Sequence, residues 1–249
     1  MAVLEKSGAN VVITNSGKPQ DMLSELIEAE GLIIRIGSID RETMLKCKNL
    51  KVIGRPGVGV DDVDVETATE LGIPVVIAPG ANTRSVAEHA MAMMFACAKD
   101  MVRCDKEMRK GNFSIRSEYK AYELNGKTLG LIGCGHIGNI LAEMATGIGM
   151  KVLVYDPFVK AEVVEAKGYG YRAVMEDVLK EADVVSIHTP LTPKTKNMIG
   201  EKELKLMKPT GILINCARGG IIDEEALCIA LAENWFHREA TDVVVKEPI

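Results

Sequence analysis

Residues 128–138 read TLGLIGCGHIG. An apolar run, Thr128–Ile132, enters the glycines Gly133, Gly135 and Gly138, and an amphipathic helical pattern over His136–Ile148 leaves them. A G-x-G-x-x-G spacing is weak evidence alone. Between a buried strand and a helix it marks the phosphate-binding turn of a dinucleotide fold. Gly133 permits the tight turn, Gly135 lets the backbone approach a pyrophosphate, and Gly138 lets the helix pack closely on the strand. The helix N-terminus then offers free N–H groups and the positive end of its dipole to the phosphates. The next strand, Lys151–Tyr155, ends at Asp156, eighteen residues after Gly138. A carboxylate there can accept from both ribose hydroxyls and would repel a 2′-phosphate, so the pattern favours NAD over NADP.

Outward from this stretch, short aliphatic runs alternate with helical patterns. Strands are expected at Val11–Thr14, Leu32–Arg35, Lys51–Gly54, Pro74–Ile77, Val184–His188 and Gly211–Asn215. Helices are expected at Asp21–Glu28, Arg41–Cys47, Val65–Leu71 and Glu224–Ala232. Apolar strands alternating with helices predict the α/β class, with parallel sheets covered on both faces. A further helix, capped by Asn82 or Thr83, is expected to run unbroken from Arg84 to about Arg109, since the run holds no Gly or Pro. Its stripe of Val86, Met91, Met94, Phe95, Ala98, Met101 and Val102 reads as core or interface.

The chain has 249 residues, enough for more than one domain, and a net charge of -5, which argues against nucleic acid or an anionic membrane as partner. No apolar stretch is long enough to span a bilayer, and no secretory leader is visible at the start. The six cysteines include no C-x-x-C pair and read as free thiols in a reducing cytoplasm. No His/Cys/Asp group stands at metal-ligand spacing, so no metal site is expected.

Five segments together carry a family resemblance: GRPGVGVDDVD (54–64), PGANTRSVAEHAMAM (79–93), ELNGKTLGLIGCGHIG (123–138), HTPLTPKTKNMIG (188–200) and NCARGGIIDEEAL (215–227). In order and spacing they resemble the D-2-hydroxyacid dehydrogenases, most of all the D-3-phosphoglycerate dehydrogenase branch. The resemblance implies two doubly wound parallel-sheet lobes. One is an incomplete flavodoxin-like substrate domain at 1–81, and the other a Rossmann NAD-binding domain at 82–249. The helix at 82–110 would link the lobes and form a homodimer. It implies NAD as cofactor and hydride transfer to or from C2 of a 2-hydroxy or 2-oxo acid. Arg218 would hold the substrate carboxylate, a task suited to a planar, bidentate guanidinium. Glu247, aligned by Asp242 and Pro248, would raise the pKa of a proton-transferring histidine. His136, Ile137, Thr189, Pro190, Asp242 and the backbone at Cys216 and Ala217 would contact the cofactor, with His188 beside it.

In the substrate lobe, the resemblance turns Arg35, Arg55 and the loop Gly57-Val58-Gly59 toward the substrate. Successive loop N–H groups suit a carboxylate. The two arginines suit a second anionic group such as phosphate, or alternatively pair with neighbours such as Asp61 and Asp62. The family's histidine follows the Glu-Pro step, and the sequence in hand reaches Ile249. None of its four histidines maps there, and His188 is the one candidate stand-in. Both ends are therefore expected to be short of the family pattern, and a non-catalytic NAD(H)-binding or regulatory protein stands as the alternative function.

Overall fold

The computed structural model describes residues 2–14, 19–119 and 121–247. The chain divides into two compact units, Met1–Asn82 and Thr83–Ile249. Both are parallel α/β, the class that the alternating pattern predicts.

The first unit holds strands β1 (Gly31–Ile33), β2 (Val52–Arg55) and β3 (Val75–Ile77), paired in parallel in that order. Its core gathers Leu26, Ile34, Ile39, Met44, Ile53 and Ala68 from the sheet and the helices Leu23–Glu28, Arg41–Lys46 and Val65–Glu70. Asp40 and Asp64 cap the last two helices by accepting from the N–H groups of Thr43 and Thr67, 2.9 Å each. The expected strand at Val11–Thr14 does not form. Those residues pair with no strand among the described residues, and Val12 and Ile13 are 63% and 73% exposed. A β-branched run becomes a strand only beside a partner edge.

The second unit is built on six parallel strands: β4 (Thr128–Ile132), β5 (Lys151–Tyr155), β6 (Gly170–Tyr171), β7 (Val184–Ile187), β8 (Ile212–Asn215) and β9 (Arg238–Thr241). Their spatial order is β6-β5-β4-β7-β8-β9, which reverses direction between β4 and β7. Ligands bind at such a reversal, beyond the carboxyl ends of the strands. The central strands are closely covered. A Cβ at Gly130 of β4 would lie 2.5 Å from Val178 Cγ1 on the helix Met175–Glu181. Apolar residues fill both faces, with Leu129, Leu131, Leu141 and Ile214 on one side and Ile132, Val185, Ile187 and Leu213 on the other.

The helix expected to run to Arg109 is two helices, Thr83–Ala98 and Met101–Arg109. Between them Asp100 sits in the left-handed region at φ 50, ψ 37 and is 3% exposed. Its carboxylate pairs with Arg238 on β9, and the N–H of Tyr122 takes the Ala98 carbonyl at 3.1 Å. These tertiary partners stop a run whose own residues would continue. Met94 is fully buried in the core of this unit, whereas Val102 is 76% exposed.

Candidate functional site

The turn after β4 is shaped by its three glycines. Gly133 has φ +93, and a Cβ there would lie 2.7 Å from the carbonyl oxygen of His188. A Cβ on Gly138 would come within 2.5 Å of the Gly133 carbonyl, so the first helical turn sits directly on the loop. A Cβ on Gly135 would meet nothing within 4 Å. The protein itself therefore does not require glycine at 135. The open space fits a ligand that approaches the backbone. The helix His136–Gly147 starts with no side-chain cap among the described residues, so its first N–H groups have no local acceptor of that kind.

Asp156 is buried at the end of β5 and ties down this turn. Its Oδ2 accepts from Cys134 N and its Oδ1 from Phe158 N, both at 2.8 Å. Each carboxylate oxygen keeps a second lone pair for a hydroxyl. Asn139, which the sequence reading did not single out, holds the turn from the other side. Its Nδ2 donates to the carbonyls of Cys134 (2.7 Å) and Gly135 (2.8 Å).

Across the reversal, β7 ends at His188, Thr189 and Pro190. His188 Nε2 lies 2.9 Å from Ser186 Oγ, while its Nδ1 and the Oγ1 of Thr189 are buried with no partner among the described residues. Burial pushes the His188 imidazole down to about 4, so the ring is neutral at pH 7. A neutral ring weighs against His188 as the candidate stand-in for the family's histidine. Two unpartnered buried polar atoms beside the glycine turn fit a polar ligand laid across the crevice.

The turn after β8 carries Cys216, Ala217 and Arg218. Asn215, buried and also unread in the sequence, sets its shape: its Oδ1 accepts from Ala217 N at 3.1 Å and its Nδ2 donates to the Arg218 carbonyl at 3.0 Å. The Arg218 guanidinium, partly exposed, donates to the Ala217 carbonyl at 2.7 Å. Gly219 is needed because the backbone of Val244 passes within 2.2 Å of where a Cβ would be. That passage brings the segment after β9 alongside this turn. Within it Asp242 is exposed, and the exposed Glu247 accepts from Val244 N at 3.1 Å. Pro248 lies outside the described residues.

Spacing along the chain shows no metal-ligand cluster, but the fold brings one candidate set together. His89, Cys216 and Asp242 lie far apart in sequence, yet their ligand atoms are all within 4.8 Å of one another.

In the first unit, Arg55 is 11% exposed at the side chain and fully engaged. It donates from Nε to Gly59 O (3.1 Å), from Nη1 to the carbonyls of Ile34 (2.9 Å) and Arg35 (3.1 Å), and from Nη2 to Asp62 Oδ2 (2.9 Å). Of the two sequence readings, pairing with a local acid is the one this geometry matches. Arg55 holds the Gly57–Gly59 loop against β1. Arg35 and Val58 are exposed.

Comparison with known proteins agrees with this architecture. Residues 91–249 match the family described as "D-isomer specific 2-hydroxyacid dehydrogenase, NAD binding domain". The chain is 42% identical over 247 residues to a D-3-phosphoglycerate dehydrogenase of Methanocaldococcus jannaschii, covering 99% of this chain and 47% of that protein. It is 41% identical to a glyoxylate reductase of Thermococcus litoralis, covering 91% of this chain and 70% of that protein. The chain thus spans about half the length of the curated phosphoglycerate dehydrogenases that it matches. Among solved structures, a D-lactate dehydrogenase from Aquifex aeolicus, complexed with NAD and lactic acid, superimposes with a TM-score of 0.83 at 39% identity, over 90% of this chain and 67% of that one. On the fold, the glycine turn and these matches together, the chain belongs to the D-isomer specific 2-hydroxyacid dehydrogenase family.

Proposed function

We propose that this chain works as the cofactor-binding and carboxylate-clamping part of an NAD-dependent D-2-hydroxyacid dehydrogenase, acting on a 2-hydroxy or 2-oxo acid. The observation that carries the reading is the glycine turn pinned by Asp156 at the strand reversal, facing the unpartnered Nδ1 of His188 and Oγ1 of Thr189. In this reading Gly133, Gly135, His136, Ile137 and Gly138 hold the pyrophosphate, and Asp156 holds a ribose. His188, Thr189, Pro190, Cys216, Ala217 and Asp242 line the nicotinamide half. NAD, when bound, supplies the hydride acceptor. Arg218 binds the substrate carboxylate and polarises the C2 oxygen, while Glu247 would raise the pKa of the histidine that follows the Glu-Pro step in the family. In the first unit, Arg55 positions the Gly57-Val58-Gly59 loop, whose N–H groups suit a carboxylate, and the exposed Arg35 suits a phosphate, which leans the substrate toward 3-phosphoglycerate. A homodimer and a cytoplasmic setting complete the reading, supported by the exposed Met101 and Val102 and by the free cysteines.

The test is NADH oxidation with phosphohydroxypyruvate, hydroxypyruvate, glyoxylate and pyruvate, alongside NADH binding by fluorescence, in wild type and Arg218→Ala. The reading expects NADH binding by wild type and variant alike, and loss in the variant of whatever turnover wild type shows. Equal turnover in both, or no NADH binding by wild type, would refute it.

A further inference from the structure

The cluster of His89, Cys216 and Asp242 is built from three separate elements. His89 projects from the helix Thr83–Ala98, Cys216 follows β8, and Asp242 follows β9. His89 Nε2 is 3.5 Å from Asp242 Oδ2. In a tetrahedral zinc site, a nitrogen about 2.0 Å and a sulfur about 2.3 Å from the metal are about 3.5 Å apart, and a nitrogen and an oxygen slightly less. The His–Asp separation already has that scale, and the three ligand atoms all lie within 4.8 Å of one another. His89 and Asp242 are both exposed and able to turn. A second soft donor stands beside the thiol, since Met93, one helical turn on from His89, places its Sδ 3.6 Å from Cys216 Sγ. An imidazole, a thiol and a carboxylate with a neighbouring thioether suit a thiophilic ion and not the all-oxygen shells of calcium or magnesium.

We propose that His89, Cys216 and Asp242 form a binding site for a thiophilic divalent cation, Zn²⁺ in the first instance, with a water as fourth ligand. On binding, the Cys216 S–H gives its proton to solvent as the Zn–S bond forms. The site stands apart from the dehydrogenase reading, because it requires neither NAD nor substrate. That reading does set a consequence: Asp242 and Cys216 are among the residues it assigns to the nicotinamide half, so Zn²⁺ and NADH would oppose each other.

The decisive experiment titrates the chelator-treated protein with Co²⁺ and then Zn²⁺, reading the thiolate-to-cobalt charge-transfer band and the visible bands of tetrahedral cobalt. The expected result is one Co²⁺ per chain, displaced by Zn²⁺. The charge-transfer band should vanish in Cys216→Ser and persist in Cys228→Ser, a control at an exposed thiol. Because Cys216 is buried, the surface variants His89→Gln and Asp242→Asn keep the test valid if Cys216→Ser folds poorly. Each should weaken Co²⁺ binding by at least the roughly 10–100-fold that loss of an outer-shell partner already costs. A wild type that binds neither ion, a band that survives in folded Cys216→Ser, or unchanged binding in both surface variants would overturn the proposal. None of these readouts depends on NADH, so the cation site and the cofactor site fail separately.

Discussion

Two partly buried groups in the second unit titrate in opposite senses, and their cancellation can be measured. Burial lowers His188 from 6.5 to about 4, and burial raises Glu239 on β9 from 4.5 to about 7. Between pH 4.5 and 6.5 the unfolded chain protonates the histidine while the folded chain does not, so this group makes stability rise with pH. Over the same range the folded chain keeps the Glu239 proton that the unfolded chain has lost, so this group makes stability fall with pH. Each slope is at most about 1.4 kcal/mol per pH unit, and the two have opposite signs. His237, exposed and also lowered by burial, adds a smaller slope in the histidine sense. Wild type should therefore be nearly flat across this window, tilting slightly toward lower stability in acid. His188→Gln should leave the Glu239 slope alone, so that stability falls by roughly 2–3 kcal/mol as pH rises from 4.5 to 6.5. Glu239→Gln should give the mirror image, with a similar loss as pH falls. The assay is urea unfolding at closely spaced pH values followed by Trp235 fluorescence. This is the chain's single tryptophan, and it lies in the second unit, so the signal reports that unit alone. The reasoning fails if both variants retain the wild-type profile, or if both tilt the same way.

Gly138→Ala and Gly135→Ala should separate folding from binding. The first drives a Cβ to 2.5 Å from the Gly133 carbonyl and should destabilise by roughly 2 kcal/mol or more in thermal melts. The second meets open space and should leave the melting temperature within a degree or two of wild type while weakening NADH binding about tenfold or more; unchanged binding would remove Gly135 from the pyrophosphate site. Asp100→Ala leaves Arg238 without its buried partner and should cost roughly 2 kcal/mol, less than a fully buried pair because the Arg238 side chain is 31% exposed. Asp183 is pushed up by burial but held below its ordinary range by the Thr128 N–H and the Lys208 ammonium, so Asp183→Asn should lose stability above the unfolded carboxylate range and converge on wild type only as pH falls on through the lowered native range. Chemical denaturation at pH 7 and pH 3 reads that difference.

The elements that the sequence foretold best are those whose pattern answers to a local constraint. Thr128–Ile132 and Lys151–Tyr155 are apolar on both faces because each lies inside a parallel sheet. The glycine spacing fixed the turn because Gly133 and Gly138 are forbidden a Cβ by backbone only a few residues away or at the adjoining strand end. Asp156 was legible for the same reason, as the carboxylate that ends the next strand and accepts from the turn. Strand β9 was not. Its sequence, Arg-Glu-Ala-Thr, lacks apolar character because Arg238 answers Asp100 and burial pushes Glu239 up to about 7. β6 is two residues long and carries no period at all.

The sequence by itself determined the parallel α/β class and the nucleotide turn with its acid, because each rests on residues near one another along the chain or on a short pattern that admits few conformations. Only the tertiary structure decided that Val11–Thr14 finds no strand partner among the described residues and that the long helix breaks at Asp100. It alone also settled that Arg55 is spent on its own loop, that His188 is neutral, and that His89, Cys216 and Asp242 meet. Each of these turns on which distant group arrives at a given side chain and how much water it excludes, and neither quantity is encoded in the spacing of residues along one segment.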